Sequence, residues 1–421
     1  MNCEILAVGT ELLLGNTVNT NASDLSELLA GLGVNVFWHT VVGDNPARLR
    51  DAVAVARRRA DLIITTGGLG PTYDDLTKNV LAETFGRKLV FHEEEADFLR
   101  RTYALRGLPL TDNVLQQAWL PEGCRVFHND WGTAPGCAFR EAGVHVILLP
   151  GPPSECLPMF RACAAPYLAA LSGETLVSRQ IRVFGLGESA IEALLREKME
   201  KMANPSLATY AKEGEVMLRV TAKAPSAAEA AALCEPVTAM ITELLGDIVY
   251  GVDVDSLEAA ALALLKEKNL TFAAAESLTG GLIGARFTAL SGASAVFRGG
   301  AVTYCDEVKA GMLGIDAALI AEKHAVSREV AAAMAEGVRL AAGADLGVSA
   351  TGIAGPDTDE SGLPVGTVFV GLSDGENTWV RHLELGRRQS RSRIRTITAN
   401  HAFDMLRRRL SGLPVVHEQT Y

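Results

Sequence analysis

Apolar runs and amphipathic stretches take turns along the first 150 residues. Residues 3–9 (CEILAVG), 61–66 (DLIITT) and 144–149 (VHVILL) are short, largely apolar runs, and 34–42 reads as a further strand. Between them, 20–32, 46–59 and 75–85 carry helical spacing, with Asn19 or Thr20 as a cap and Pro46 in a first turn. Buried strands separated by helices predict a parallel sheet covered on both faces. A second texture begins near residue 175. Strand-like alternation at 176–184, a helix at 188–202, a strand at 215–224, a helix at 227–245 and a short strand at 248–250 predict a small α+β module. From residue 256 the chain is alanine-rich and alternates again. Helices are predicted at 257–268, 328–342 and 392–410, and strands at 271–275, 296–304 and 346–350. An antiparallel pair, 365–372 with 378–385, turns around Asp374-Gly375. The predicted fold class is α/β. It comprises a three-layer amino-terminal domain (1–172), an α+β connector (173–252) and a carboxyl-terminal α/β domain (253–415).

Composition narrows the function classes. With 48% hydrophobic and 21% charged residues among 421, the chain suits two to four folded domains of about 100–200 residues each. A formal charge of −11, from 39 basic and 50 acidic side chains, opposes a broad electrostatic grip on nucleic acid. Aromatic and basic residues do not interleave either. The seven cysteines include no CxxC pair, so neither a zinc site nor a disulfide framework is expected. The opening MNCEILAVGTELLLG lacks the basic segment of a signal peptide, and no run reaches the ~18 apolar residues that span a bilayer. A cytoplasmic protein without nucleic-acid or membrane partners is expected.

Many of the 40 glycines follow predicted strands. TTGGLGPTYDD (65–75) sits between a strand and a helix. Residues without side chains let backbone N–H groups approach a phosphate, and a following helix start adds positive potential. Asp74 and Asp75 would repel that phosphate unless a divalent cation lies between them, or unless they serve proton transfer to water. A tight turn whose Thr72 or Asp74 caps the next helix is the other use of the same residues. A second loop, LPGPPSE (149–155), also ends a strand, GTAPG (132–136) offers a third wall, and Thr10, Glu11 and the polar stretch up to Asn21 add amide and hydroxyl groups. Two such loops at strand ends are what a ligand crevice in an open α/β sheet requires.

The third segment concentrates hydroxyls and one lysine. In AESLTGG (275–281), Gly280 and Gly281 leave helix-start amides open to an anion or a developing oxyanion. Ser294 lies in a small-residue loop, Tyr304 ends a strand, Lys309 follows five residues later, and Thr351 opens TGIAGPD. A serine hydroxyl needs a base to attack. A lysine serves where burial lowers its pKa towards ~7–8, and a tyrosine relays the proton. His324, in a helix-to-loop turn, suits a structural role. The types point to a serine–lysine hydrolase; a helix cap, a core-edge tyrosine and a solvated lysine would use the same residues.

Two sets of motifs carry a family resemblance. GTELLLGNTVNTNA, TTGGLGPTYDDLT and LLPGPPSE resemble the molybdopterin-binding (MoaB/MogA-like) domain of the CinA family, and AESLTGG, RGGAVTY, HAVS, TGIAGPD and PVGTVFVGL resemble the CinA carboxyl-terminal domain. The likeness spans nearly the whole chain, with the middle module matching the family's KH-like connector. Its Gly185-Leu186-Gly187-Glu188 is a partial, acid-containing echo of a GxxG loop, and no RNA binding is assigned to it. The resemblance implies hydrolysis of ADP-ribose-type pyrophosphates by the first domain, with Mg²⁺, Mn²⁺ or Co²⁺. Thr66, Gly67, Gly68 and Gly70 would meet phosphates, Asp74 and Asp75 would hold metal or activate water, and Thr10, Asn21, Gly151, Ser154 and Glu155 would line the substrate. For the last domain it implies metal-free hydrolysis of the carboxamide of nicotinamide mononucleotide (NMN), giving nicotinate mononucleotide and ammonia. Ser294 is the favoured nucleophile with Lys309 as base and Tyr304 assisting. Ser277, Thr279, Gly280 and Gly281 would hold substrate or oxyanion, with Thr351 and Gly352 nearby. The usual family cysteine is Leu278 here. The phosphate-binding arginine matches Arg391 by register with the closing helix and Arg388 by the glycine before it. A homodimer is expected. The alternative is a protein that binds a nucleotide or pterin with one or both active sites inactive.

Overall fold

The computed structural model describes residues 1–171, 175–358 and 361–416. The chain divides into two compact units, one of residues 1–177 with 222–232, the other of 178–221 with 233 onward.

In the first unit, strands β1 (Asn2–Val8), β2 (Asn35–Val42) and β3 (Leu62–Thr66) precede a small antiparallel pair, β4 (Leu89–Phe91) with β5 (Trp119–Pro121). Strands β6 (Arg125–Phe127), β7 (Gly136–Glu141) and β8 (Val144–Leu149) follow. The main sheet runs β2-β1-β3-β8-β7-β6, parallel through β8 and antiparallel beyond it. The reversal is made by Ala142 and Gly143, both at positive φ (49° and 86°), which is the two-residue turn that matches strand twist. Alternation along β3 fills both faces. Ile63 joins Leu49, Val53 and Val80 on one side; Leu62 and Ile64 join Leu25, Leu29 and Phe160 on the other. Helices therefore cover the sheet twice, giving three layers. Burial of each such side chain contributes roughly 1.5–3 kcal/mol. The helix after the glycine loop begins at Thr77 rather than at Asp75, because the Asp75 carboxylate turns back to Thr72.

The connector sheet has the order β10-β11-β9-β12, from β9 (Thr175–Val183), β10 (Ser206–Lys212), β11 (Glu215–Ala224) and β12 (Val249–Val252). β10 lies outside the predicted elements; it is an edge strand with Leu207 its only buried residue.

The carboxyl-terminal sheet holds β13 (Phe272–Glu276), β14 (Phe297–Val302), β15 (Leu346–Gly352), β16 (Thr367–Ser373) and β17 (Thr378–Glu384) in the order β14-β13-β15-β16-β17. The first three are parallel, so Glu276, Val302 and Gly352 end at one edge of the sheet. The predicted hairpin joins β16 to β17, with Asp374 Oδ1 accepting from the amides of Glu376 (3.0 Å) and Asn377 (2.7 Å). The helix Arg391–Leu410 closes the unit and buries Ile394, Phe403 and Leu406. It also buries an ionic network: Asp404 meets Arg381 (3.0 Å) and Arg407 (2.7 Å), and Arg381 Nη1 donates to His401 Nδ1 (2.8 Å). No helix among the described residues is long and apolar enough to cross a membrane, and the cysteines are free.

Candidate functional sites

The first unit carries a cleft of about 550 Å³ where β1, β3 and β8 end. Its walls are the loops after those strands, with Gly67, Gly68, Gly70 and Gly151 among the lining residues. Gly67 sits at φ +98°, and a Cβ there would strike the Val8 carbonyl oxygen, so the approach of the loops requires glycine. Asn21 and Thr66 staple the loops together. Thr66 Oγ1 donates to the Pro150 carbonyl (3.0 Å) and accepts from Asn21 Nδ2 (2.9 Å), which also donates to the Gly151 carbonyl (2.7 Å). Those two acceptors fix the amide so that Asn21 Oδ1 is the atom left unpartnered. Thr66 thus holds the wall rather than offering a free hydroxyl to phosphate. Glu155 is likewise a brace, accepting from Asn129 Nδ2 (2.7 Å), which bridges to the Ala134 carbonyl (2.9 Å).

Thr10 and Ser154 lie off the cleft wall. Thr10 is spent on Asp44, donating its amide to Oδ2 (2.7 Å) and accepting the Asp44 amide on Oγ1 (3.1 Å), and Ser154 is exposed in the first turn of its helix. Asp44, which sequence reasoning missed, does line the cleft. Thr72 Oγ1 lies 2.5 Å from Asp74 Oδ1 and 2.6 Å from Asp75 Oδ2. One hydroxyl proton serves one carboxylate at a time, so three oxygens crowd together with too few protons. Bonding to Thr72 and a backbone amide holds the Asp74 carboxyl below its usual range. Five carboxylates (Glu11, Asp44, Asp74, Asp75 and Glu155) line the cleft, and among the described residues no lysine, arginine or histidine does. Lys78, whose burial pushes its ammonium down to about 8, is tied to the Gln116 carbonyl instead.

In the second unit a pocket of about 210 Å³ opens at the carboxyl ends of β13, β14 and β15. Ser277, Tyr304, Asp306, Lys309, Thr351, Gly352 and Arg391 are on its wall, so six predicted residues meet there. Lys309 is 1% exposed, with Nζ 3.3 Å from Asp306 Oδ1 and 3.5 Å from the Tyr304 carbonyl. Tyr304 is 61% exposed and lies beyond the end of β14. Its hydroxyl accepts from Arg391 Nη2 (3.1 Å), whose Nη1 donates to the Gly355 carbonyl (2.7 Å). Thr351 Oγ1 donates to the Ala325 carbonyl (2.8 Å), and Gly352 completes the floor.

Four predictions are corrected here. Ser294 does not meet Lys309 within the chain: it precedes β14, at the amino end of a strand whose carboxyl end leads to Tyr304, roughly 20 Å away at 3.3 Å per residue. Thr279 is fully buried, its carbonyl held by Arg395 (2.6 Å), and it is absent from the pocket wall. Gly280 and Gly281, at φ +56° and +91°, make a left-handed turn, and the first free amides of the next helix are taken by the Glu276 carboxylate. Arg388 is exposed and off the wall, whereas Ser390 Oγ caps the closing helix at the Arg393 amide (3.2 Å) and starts it at Arg391.

Family models match the chain in three places: a probable molybdopterin binding domain over residues 4–170, a damage-inducible protein CinA KH domain over 178–251 and a CinA C-terminal domain over 254–410. A CinA-like protein of Dictyoglomus turgidum is 48% identical over 98% of this chain and 100% of its own length. The chain belongs to the CinA family. A putative competence-damage inducible protein of Acetivibrio thermocellus is 46% identical, covering 97% of this chain and 98% of that one. Among solved structures, the CinA protein from Thermoplasma acidophilum shares 36% identity over 39% of this chain and 96% of its own, with a TM-score of 0.37. The CinA assignment carries the fold with it: a molybdopterin-binding-like domain, a KH-like connector and the CinA carboxyl-terminal domain.

Proposed function

We propose that this CinA-family chain is a hydrolase of pyridine-nucleotide breakdown products with two pockets, and that the carboxyl-terminal one hydrolyses the carboxamide of NMN. The carrying observation is a buried lysine amine and a serine hydroxyl on the wall of one small pocket. Ser277 Oγ attacks the amide carbon, with Lys309 as the base that takes the hydroxyl proton and delivers it to the departing nitrogen. Ammonia leaves, water attacks the Ser277 ester with Lys309 again as base, and nicotinate mononucleotide departs. The developing oxyanion falls to the amide of Leu278, which lies on the pocket wall and donates to no group among the described residues. Arg391 meets the phosphate. Arg391→Ala should raise KM for NMN about 10–100-fold, the weight of one charge-assisted hydrogen bond, while Arg388→Ala leaves it unchanged; steady-state ammonia release measures both.

The amino-terminal cleft is proposed to hydrolyse ADP-ribose-type pyrophosphates. Its carboxylates, with no cation among the described lining side chains, support a reading in which Asp74 and Asp75 would hold a divalent metal. No cluster of three or more potential ligands is preformed among the described residues. When bound, the cation supplies Lewis-acid charge at the phosphates. The chain's own part is the loop backbone at Gly67–Gly70, which seats the phosphates, and the Asn21–Thr66 staple, which keeps the two loops in register. Offering NMN and ADP-ribose to the intact protein and identifying products by mass tests both halves. A chelator should stop AMP formation from ADP-ribose and leave ammonia release from NMN unaltered. Binding of either compound without product would favour a binding protein instead.

A further inference from the structure

Glu276 ends β13 directly before Ser277 and is 2% exposed. Both of its oxygens are engaged: Oε2 accepts the Ile283 amide (3.0 Å) and Oε1 the Gly284 amide (2.9 Å). The carboxylate therefore ties the end of the strand to the helix Leu282–Thr288 and closes the turn between them. From the other side, Arg395 Nη2 (2.6 Å) and Nε (3.3 Å) donate to the Thr279 carbonyl in the middle of that turn. At its root, the Ser277 amide donates to the Ala350 carbonyl (2.9 Å), and the Thr303 amide to the Glu276 carbonyl (2.8 Å). The segment 277–281 is thus fixed at its start, middle and end.

We propose that Glu276 is a positioning residue for the amide-hydrolysing pocket, an inference that rests on the reading of Ser277 as nucleophile. A carboxylate offers two acceptors and no donor, and both are needed. With Ile283 and Gly284 satisfied internally, the helix start is closed to a ligand anion, and the Leu278 amide on the pocket wall stays free for the oxyanion. A glutamine keeps the shape but turns an NH₂ towards a backbone N–H, so the turn relaxes and Ser277 loses its fixed place against Lys309.

The test compares wild type and Glu276→Gln in two assays on the full chain. One gives kcat and KM for ammonia release from NMN. The other gives the rate at which phenylmethylsulfonyl fluoride modifies Ser277, read by peptide mass. Expected are falls of about 10–100-fold in kcat and in labelling rate, the scale of a small misplacement of a reacting atom, with KM changed by less than about twofold. A lowered melting temperature with unchanged kcat and labelling would mean a structural role only and overturn the proposal. Should Glu276→Gln fail to fold, Arg395→Lys loosens the same turn from its outer side and is expected to slow labelling as well; labelling at the wild-type rate would overturn the proposal. Wild-type protein that labels at Ser277 but releases no ammonia removes NMN as substrate and leaves the labelling comparison to decide on Glu276. Wild-type protein unlabelled at Ser277 overturns both.

Discussion

Ser277→Ala and Lys309→Ala are each expected to lower kcat for ammonia release from NMN by about 10³-fold or more. The double variant should be little slower than either single one, because the lysine acts through the serine and a missing nucleophile leaves it nothing to deprotonate. Ser294→Ala should stay within about twofold of wild type, since that side chain lies at the opposite edge of the sheet from Lys309. The contrast separates two serines that residue type alone treats alike. Near-wild-type rates in Ser277→Ala, or a collapse in Ser294→Ala, would overturn the assignment.

The second large effect is on stability. Asp404→Ala should destabilise the carboxyl-terminal unit by about 3–5 kcal/mol, because it leaves two buried guanidiniums, Arg381 and Arg407, without their shared counter-charge. For a unit of this size, the melting transition should drop on the order of 10 °C in calorimetry. The same network makes stability depend on pH. Burial, and then the Arg381 guanidinium beside it, holds His401 well below its usual range, so the folded imidazole is neutral and accepts from Arg381. A histidine depressed in the folded state binds fewer protons there than in the unfolded chain. Its cost is absent above the unfolded value of about 6.5, and stability falls as pH drops below it. Denaturant midpoints measured from pH 8 to pH 5 should decline over that range.

The strands that build the pockets were legible because they are buried on both faces and read as apolar runs; β1, β3 and β8 are buried almost throughout. The helix Glu93–Leu105 escaped, since it opens with three glutamates and buries only Glu95, Ala96 and Leu99. Residue chemistry at strand ends was legible too, which is why Ser277, Tyr304, Lys309, Thr351 and Arg391 converge. The separation of Ser294 from the Lys309 pocket was not read, although the chain contains the clue. A strand–helix–strand crossover puts the loop before β14 at the amino edge, away from any residue that follows β13. Ser390 held a similar clue, because a capping serine starts the helix at Arg391 and leaves Arg388 outside. Glu276 was hidden differently. It ends an apolar run, and its partners lie seven and eight residues onward on backbone atoms that no sequence pattern marks.

The acidic wall of the amino-terminal cleft has a consequence for how the protein responds to its surroundings. A cavity lined by five carboxylates and, among the described residues, no basic side chain repels a bare polyanion, so under the proposed function its occupancy would follow the abundance of the nucleotide–cation complex. Such a cleft would behave as a coincidence gate: its filling would scale with the product of two concentrations, and depletion of either the ion or the nucleotide would empty it.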